Sequence, residues 1–255
     1  MTMKLAGKKG LIVGVANDRS LAWGCAKAFR AEGAELAVTY LNDKAKPFVE
    51  PLANQVEAPI ILPLNVRDDE QMDAVFKAVA AQWGKLDFVL HSIAYSPNND
   101  LRGRVVDCSR EGFQTAMDVS CHSFMRMAQR AEPLMKGGGS LLTISYLGGA
   151  RVVEHYNMMG PVKAALESSV KYLAAELGGK NIRVNALSPG PIVTRAATGI
   201  IAFEEFLGDS RRKSPLRQEL TIEDVGAFAA FLVSDGARHI TGNIEYIDGG
   251  RNIIS

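Results

Sequence analysis

Two side chains within "YNMMGPVK" (156–163), Tyr156 and Lys163, could do chemistry together. A tyrosine hydroxyl can give a hydrogen bond or a proton to an oxygen that gains charge during a reaction. A nearby ammonium stabilises that charge and can grip ribose hydroxyls. The stretch reads as helical, and residues seven apart on a helix lie two turns apart on one face. Both groups then point into one cleft. Met159 shares that face, one turn from Tyr156, and its soft thioether suits an apolar chain. A Tyr–Lys pair alone is more often core and rim of a long helix. The segment that follows, "NIRVNALSPGPIVT" (181–194), favours the chemical reading because it returns the chain to the cleft with a Pro-Gly turn.

A second stretch has the makings of a phosphate seat. "VGVANDRSLAWG" (13–24) follows an apolar run and opens a helix, where free backbone N–H groups and the positive helix end attract anions. Gly14 allows a tight turn. Ser20 is placed to cap the helix and offer its hydroxyl, and Leu21 opens the first turn. Small Ala22 and Gly24 let helix and strand approach. The next strand ends "TYLNDKAK", with apolar Leu41 where an acid would hold an adenosine ribose and Asp43 a little late. Lys44 and Lys46 are near, but no arginine is present for a 2′-phosphate, so NADH is expected over NADPH. Asn65 and Val66, ending a third strand, are placed to meet adenine. In "HSIAYSP" (91–97), Ile93 is placed against the nicotinamide, while His91 reads as a packed, hydrogen-bonded residue.

The elements that must position these groups alternate. Strands are expected at 10–15, 35–40, 59–66, 86–92, 140–145, 181–188 and 243–248, with helices at 20–34 and 68–84 among those between them. Strands apolar on both faces imply a sheet covered on both sides. Alternating β and α implies parallel strands with right-handed crossovers. The expectation is one α/β domain over 1–255, a doubly wound Rossmann-type parallel sheet of about seven strands with helices on both faces. Residues 189–220 break the rhythm yet hold Ile200, Ile201, Phe203, Phe206 and Leu207, so 193–215 reads as a lid over an apolar ligand. The 255 residues are 47% hydrophobic with a formal charge of +1, which suggests neither nucleic acid nor an anionic membrane as partner. Three cysteines without CxxC spacing suit a reduced compartment. "MTMKLAGKKG" has no apolar core of signal-peptide length, and a cytoplasmic location is expected.

Taken together, Gly14…Ser20-x-Ala22, "HSIAYSP", "SYLGG" (145–149), "YNMMGPVKAALE", "RVNALSPGPIVT" and "TGNIEYIDGG" span nearly the whole chain. Their combination resembles the short-chain dehydrogenase/reductase superfamily and, within it, the bacterial NADH-dependent enoyl-acyl-carrier-protein reductases. Ordinary members of the superfamily would carry their tyrosine at 159 and an accessory serine at 146; this chain has Met159 and Tyr146. The resemblance implies that Tyr156 meets the thioester oxygen, Lys163 the nicotinamide ribose, and that Tyr146 supports them. It implies that Ile192 to Ala196, with Thr194 as hydroxyl donor, hold the nicotinamide amide and pyrophosphate. Tyr95, Met159, Ile200, Phe203 and Leu207 would line an acyl channel, which Ser96 approaches through its backbone. The shifted tyrosine has a physical sense: hydride goes to the β-carbon, so the oxygen that gains charge lies farther from the nicotinamide. The implied partners are an acyl carrier protein and further copies in a homotetramer, with the 154–178 helix and the C-terminal strand at interfaces. On the lid, Glu204 and Glu205 stand where family members often present basic residues, with Arg211, Arg212 and Lys213 shortly after. Two other readings remain: a reductase of a ketone or alcohol, and a non-catalytic nucleotide-sensing protein of the same fold.

Overall fold

Seven apolar runs become seven strands: β1 (Lys9–Val13), β2 (Glu35–Tyr40), β3 (Ile60–Pro63), β4 (Phe88–His91), β5 (Gly139–Ile144), β6 (Ile182–Pro189) and β7 (Ile244–Ile247). The structure is a computed structural model that describes residues 3–194 and 203–254, with only the backbone of 203–206. The strands form one sheet in the order β3-β2-β1-β4-β5-β6-β7, every neighbouring pair parallel. Side chains alternate across it as the pleat requires. Leu11, Val13, Val89, Leu141 and Val184 enter one apolar layer, and Ile12, Leu36, Phe88, Leu90 and Leu142 enter the other.

The helices are α1 (Leu21–Ala31), α2 (Lys46–Gln55), α3 (Asp69–Trp83), α4 (Asn98–Arg102), α5 (Arg110–Met117), α6 (Ser123–Ala131), α7 (Met159–Leu177), α8 (Phe203–Lys213) and α9 (Ile222–Val233). α1, α2 and α9 cover one face of the sheet, and α3, α6 and α7 the other. Local sequence sets several boundaries. Asp68 caps α3 by accepting from the Gln71 N–H, Asp69 and Glu70 suit its positive end, and Gly84 closes it in the left-handed region. Thr221 and Asp224 form a reciprocal capping box on α9.

From β1 the chain travels outward to β2 and β3, then crosses back to β4 on the other side. A crevice therefore opens at the carboxyl ends of β1 and β4, where such sheets hold ligands. Gly14 sits on its floor at φ 115°, and a Cβ there would lie 2.1 Å from the Ser92 carbonyl oxygen. Only glycine allows the two loops to touch there.

The structure corrects three expectations. Gly24 does not ease α1 against a strand; it eases α1 against α9. A Cβ on Gly24 would stand 2.2 Å from the Ile222 oxygen, and one on Gly226 2.3 Å from the Gly24 oxygen. Ser20 precedes α1 as its cap residue, but its hydroxyl does not bond the helix. It accepts instead from the loop N–H groups of Ala16 and Asn17, both at 3.0 Å. Finally, α7 does not begin at 154. It begins at Met159, because His155 (φ 62°) and Asn157 (φ 46°) are both left-handed, a conformation no helix accommodates. Asn157 is fixed there by its side-chain amide, which donates to the Leu101 oxygen at 2.9 Å. Tyr156 thus rides on a turn outside the helix, and the two-turn spacing to Lys163 is not what aims it.

Candidate active site

Tyr156 and Lys163 nevertheless meet in one cleft at the carboxyl end of the sheet. Leu21, Tyr95, Ser96, Tyr146, Met159, Ile192 and Thr194 share its wall, and it encloses about 870 Å³, part of it open to solvent. Tyr156 is buried in a small apolar cluster with Met158, Met159 and Val162, against which Tyr146 packs. The Tyr146 and Tyr156 rings lie 4.8 Å apart at 59°. Gly148 provides the seat, since a Cβ there would come within 2.3 Å of the Tyr156 ring. Burial holds both phenols well above the usual tyrosine range; neighbouring Tyr146 and Glu167 push Tyr156 the same way. Each therefore keeps its proton and can donate it in a hydrogen bond.

Lys163 comes from the first turns of α7 and is 3% exposed. Its ammonium donates to the Ile144 oxygen at 2.6 Å, at the very end of β5. Burial lowers its pKa to about 8, against the opposing influence of Glu167 and Cys121. One turn along α7, Glu167 accepts the Ser145 hydroxyl at 2.5 Å. Neither Ser145 nor Glu167 stood out in the sequence as a functional residue. The available signal was the i, i+4 spacing of Lys163 and Glu167, an acid a helical turn from a buried base.

The loop after β4 is held from α5. That helix runs into a π-helical turn at Asp118–His122 before α6 begins. The turn aims Ser120 at Tyr95: its hydroxyl accepts the Tyr95 N–H at 2.9 Å and donates to the Tyr95 oxygen at 3.1 Å. π-turns of this kind often occur at functional sites. The Tyr95 side chain is 53% exposed at the mouth, while Ser96 is buried. His91 is the packed residue the sequence suggested. Its ring is wholly buried between Thr143 and Ser123, each at 2.8 Å, and burial lowers its pKa to about 3.

The expected cofactor residues divide. Leu21, Ile192, Thr194 and Lys163 line the cleft itself, with Gly14 and Ser20 shaping the loop that leads into α1. Leu41, Asn65 and Val66 lie outside it, beyond β2 and β3. Leu41 is 55% exposed and Val66 is buried. The Asn65 side chain is engaged by the Arg67 N–H at 3.1 Å, which braces the approach to α3. Ile93 packs partly buried against the α3 and α6 layer.

In the segment expected as a lid, Leu207 lines a hollow that adjoins the cleft and shares Gly190, Pro191 and Ile192 with it. Ile200 lies outside the described residues, as do the side chains of Phe203, Glu204 and Glu205. The basic residues that follow are paired locally. Arg212 and Lys213 meet Asp209 at 2.5 and 2.9 Å, and Arg211 meets Glu219 at 3.7 Å.

Comparison with known proteins agrees with this arrangement. A family model described as Enoyl-(Acyl carrier protein) reductase matches residues 14–252. An "Enoyl-[acyl-carrier-protein] reductase [NADH] 2" of Rhizobium meliloti is 50% identical over 98% of this chain and 93% of its own length. The enoyl-acyl-carrier-protein reductase of Anaplasma phagocytophilum, solved with NAD, superposes with a TM-score of 0.96 at 50% identity, covering 100% of this chain and 97% of that one. The Bacillus cereus enoyl-acyl-carrier-protein reductase, solved with NADP+ and an indole naphthyridinone, gives 0.96 at 43% identity, with 99% of each chain covered.

Proposed function

The chain belongs to the enoyl-acyl-carrier-protein reductase family, and from that premise we propose that it reduces trans-2-enoyl thioesters with NADH in fatty acid biosynthesis. When bound, NADH supplies the hydride that is delivered to the β-carbon. The crevice suits such a group: a Cβ at Gly14 would fill the floor, and the first N–H groups of α1 open beside Leu21. Lys46, which opens α2 after the β2 strand, is occupied by the Tyr40 ring at 5.9 Å and by Glu50 at 3.7 Å, which favours a cofactor without a 2′-phosphate.

The observation that carries the reading is the position of Tyr156, a buried, protonated phenol across one cleft from Lys163, while Met159 stands four residues before that lysine. A thioether cannot protonate a ketone oxygen. Tyr156 instead reaches the thioester oxygen and stabilises it as the enolate forms, and the enolate then takes a proton from water at its α-carbon to give the saturated thioester. Tyr146 braces the Tyr156 ring, and the Lys163 ammonium holds the cofactor ribose. Tyr95, Met159, Phe203, Ile200 and Leu207 border the acyl chain, with Ser96 presenting its backbone. Leu41, Asn65, Val66, Ile93, Ile192 and Thr194 border the cofactor, and residues 193–215 close over both. The acyl chain arrives on its carrier protein, in the cytoplasm, at a homotetramer.

The direct test is loss of NADH absorbance with crotonyl and longer enoyl thioesters, beside acetoacetyl thioester, with NADH and NADPH in parallel. Enoyl substrates with NADH are expected to turn over. Turnover of acetoacetyl but not crotonyl thioester would overturn the reading.

A further inference from the structure

Lys163 is a cation in a place that disfavours one: it is 3% exposed, and its ammonium is turned onto the Ile144 carbonyl rather than into water. An ammonium so placed sheds its proton unless a negative charge faces it. Glu167 supplies that charge: its influence raises the lysine's pKa, while burial raises that of its own carboxyl and the Ser145 hydroxyl and Lys163 hold it down. It is one turn along α7, itself buried, and it reaches across to the strand that carries the lysine's own acceptor. Ile144 accepts the Lys163 ammonium at 2.6 Å, and the next residue, Ser145, donates to Glu167 at 2.5 Å. The Ser145 N–H is in turn held by the Leu187 oxygen at 2.6 Å. Gly149 leaves room for this clamp: a Cβ there would lie 2.6 Å from the Glu167 carboxylate oxygen and 3.1 Å from the Lys163 carbonyl carbon.

We propose that Glu167 is a positioning residue, which keeps the Lys163 ammonium charged and, through Ser145, fixes the carbonyl on which that ammonium rests. Other groups contribute less. Cys121, from the turn at 118–122, faces Lys163, and His91, from β4, is kept neutral by burial. Glu167 is also faced by Lys171 on its own helix, by Tyr156 from the turn and by Tyr246 from β7. The consequence for binding rests on the reading of Lys163 as the ribose ligand; the consequence for the lysine's own titration does not.

Substituting Glu167→Gln removes the charge while leaving an oxygen to accept the Ser145 hydroxyl. Glu167→Asp keeps the charge but shortens the reach. In protein labelled at the lysine side-chain nitrogen, the NMR titration midpoint of Lys163 is expected to fall by about one pH unit or more in E167Q and to stay near the parent value in E167D. NADH affinity, measured on the same proteins from about pH 6 to about pH 9, should fall in E167Q relative to parent by a ratio that grows about ten-fold across the range. An unchanged Lys163 midpoint in E167Q overturns the proposal, as does an equal fall in E167D. Should E167Q not fold, Glu167→Met, an uncharged side chain of similar length, takes its place: the Lys163 midpoint is again expected to fall by about one pH unit or more, and an unchanged midpoint overturns the proposal. If Lys163→Ala leaves the NADH dissociation constant unchanged, the ribose reading fails, and the titration still decides the role of Glu167.

Discussion

The proposed division of labour in the cleft, Tyr156 at the substrate oxygen and Lys163 at the cofactor, makes a prediction for the phenol. Tyr156→Phe keeps the ring that packs on Tyr146 at 4.8 Å but loses the donor. It should lower kcat by about 10²-fold or more while shifting the NADH dissociation constant by no more than about two-fold. A large loss of NADH affinity with kcat intact would reverse that assignment. His91 governs a different property. Its folded pKa of about 3 lies below the ordinary 6.5, so between those values the unfolded chain binds a proton that the native state refuses. Stability contributed by the neutral ring is present above about pH 6.5 and is lost progressively as pH falls toward about 3. Urea midpoints should decline over that window, and His91→Gln should flatten the decline; an unchanged slope would place it on the carboxylates. At this scale the sequence was legible for groups whose chemistry is unusual, the phenol and ammonium pair and the packed histidine. Glu167 was not legible, because an acid on a helix is ordinarily a solvated surface group, and only the fold shows this one turned inward.

The elements that seat these groups depend on missing side chains. Gly24→Val would drive a branched side chain into the backbone of α9, where a single Cβ already comes within 2.2 Å of the Ile222 oxygen. Separating α1 from α9 should cost about 2 kcal/mol or more, read from the urea midpoint at constant slope. A loss below about 0.5 kcal/mol would show that the crossing yields freely. Gly148→Ala places a methyl 2.3 Å from the Tyr156 ring, so kcat should drop further than thermal stability does. Equal kcat in variant and parent would show that the ring has room to move. The seven strands were readable because burial on both faces makes each a short apolar run between turns. The start of α7 was not, since the apolar pattern of 153–159 fits a helix while the left-handed His155 and Asn157 end any such path. Asparagine at 157 was a weak hint, being among the few residues that adopt that conformation readily. The α1–α9 crossing joins positions about two hundred residues apart, which no local pattern reports.

For the molecule as a whole, the proposed lid and the proposed assembly carry the remaining tests. Arg211, Arg212 and Lys213 are matched by Asp209 and Glu219, so little unbalanced positive charge is left there for an acidic carrier. Exchanging Glu204 and Glu205 for lysine should therefore improve KM for carrier-linked substrate and leave the coenzyme A thioester unaffected. Equal effects on both would remove the electrostatic explanation. Light scattering should give four times the chain mass; a monomer at working concentration would exclude the tetramer. The position of the tyrosine on the left-handed turn before α7, with the lysine inside that helix, separates two decisions. On the proposed roles, lengthening or shortening the turn slides the phenol that meets the substrate oxygen while the cofactor's seat, and so the direction of hydride attack, stays put. If those roles hold, the choice of bond to be reduced can be inherited, lost or redesigned in this scaffold independently of the supply of reducing equivalents.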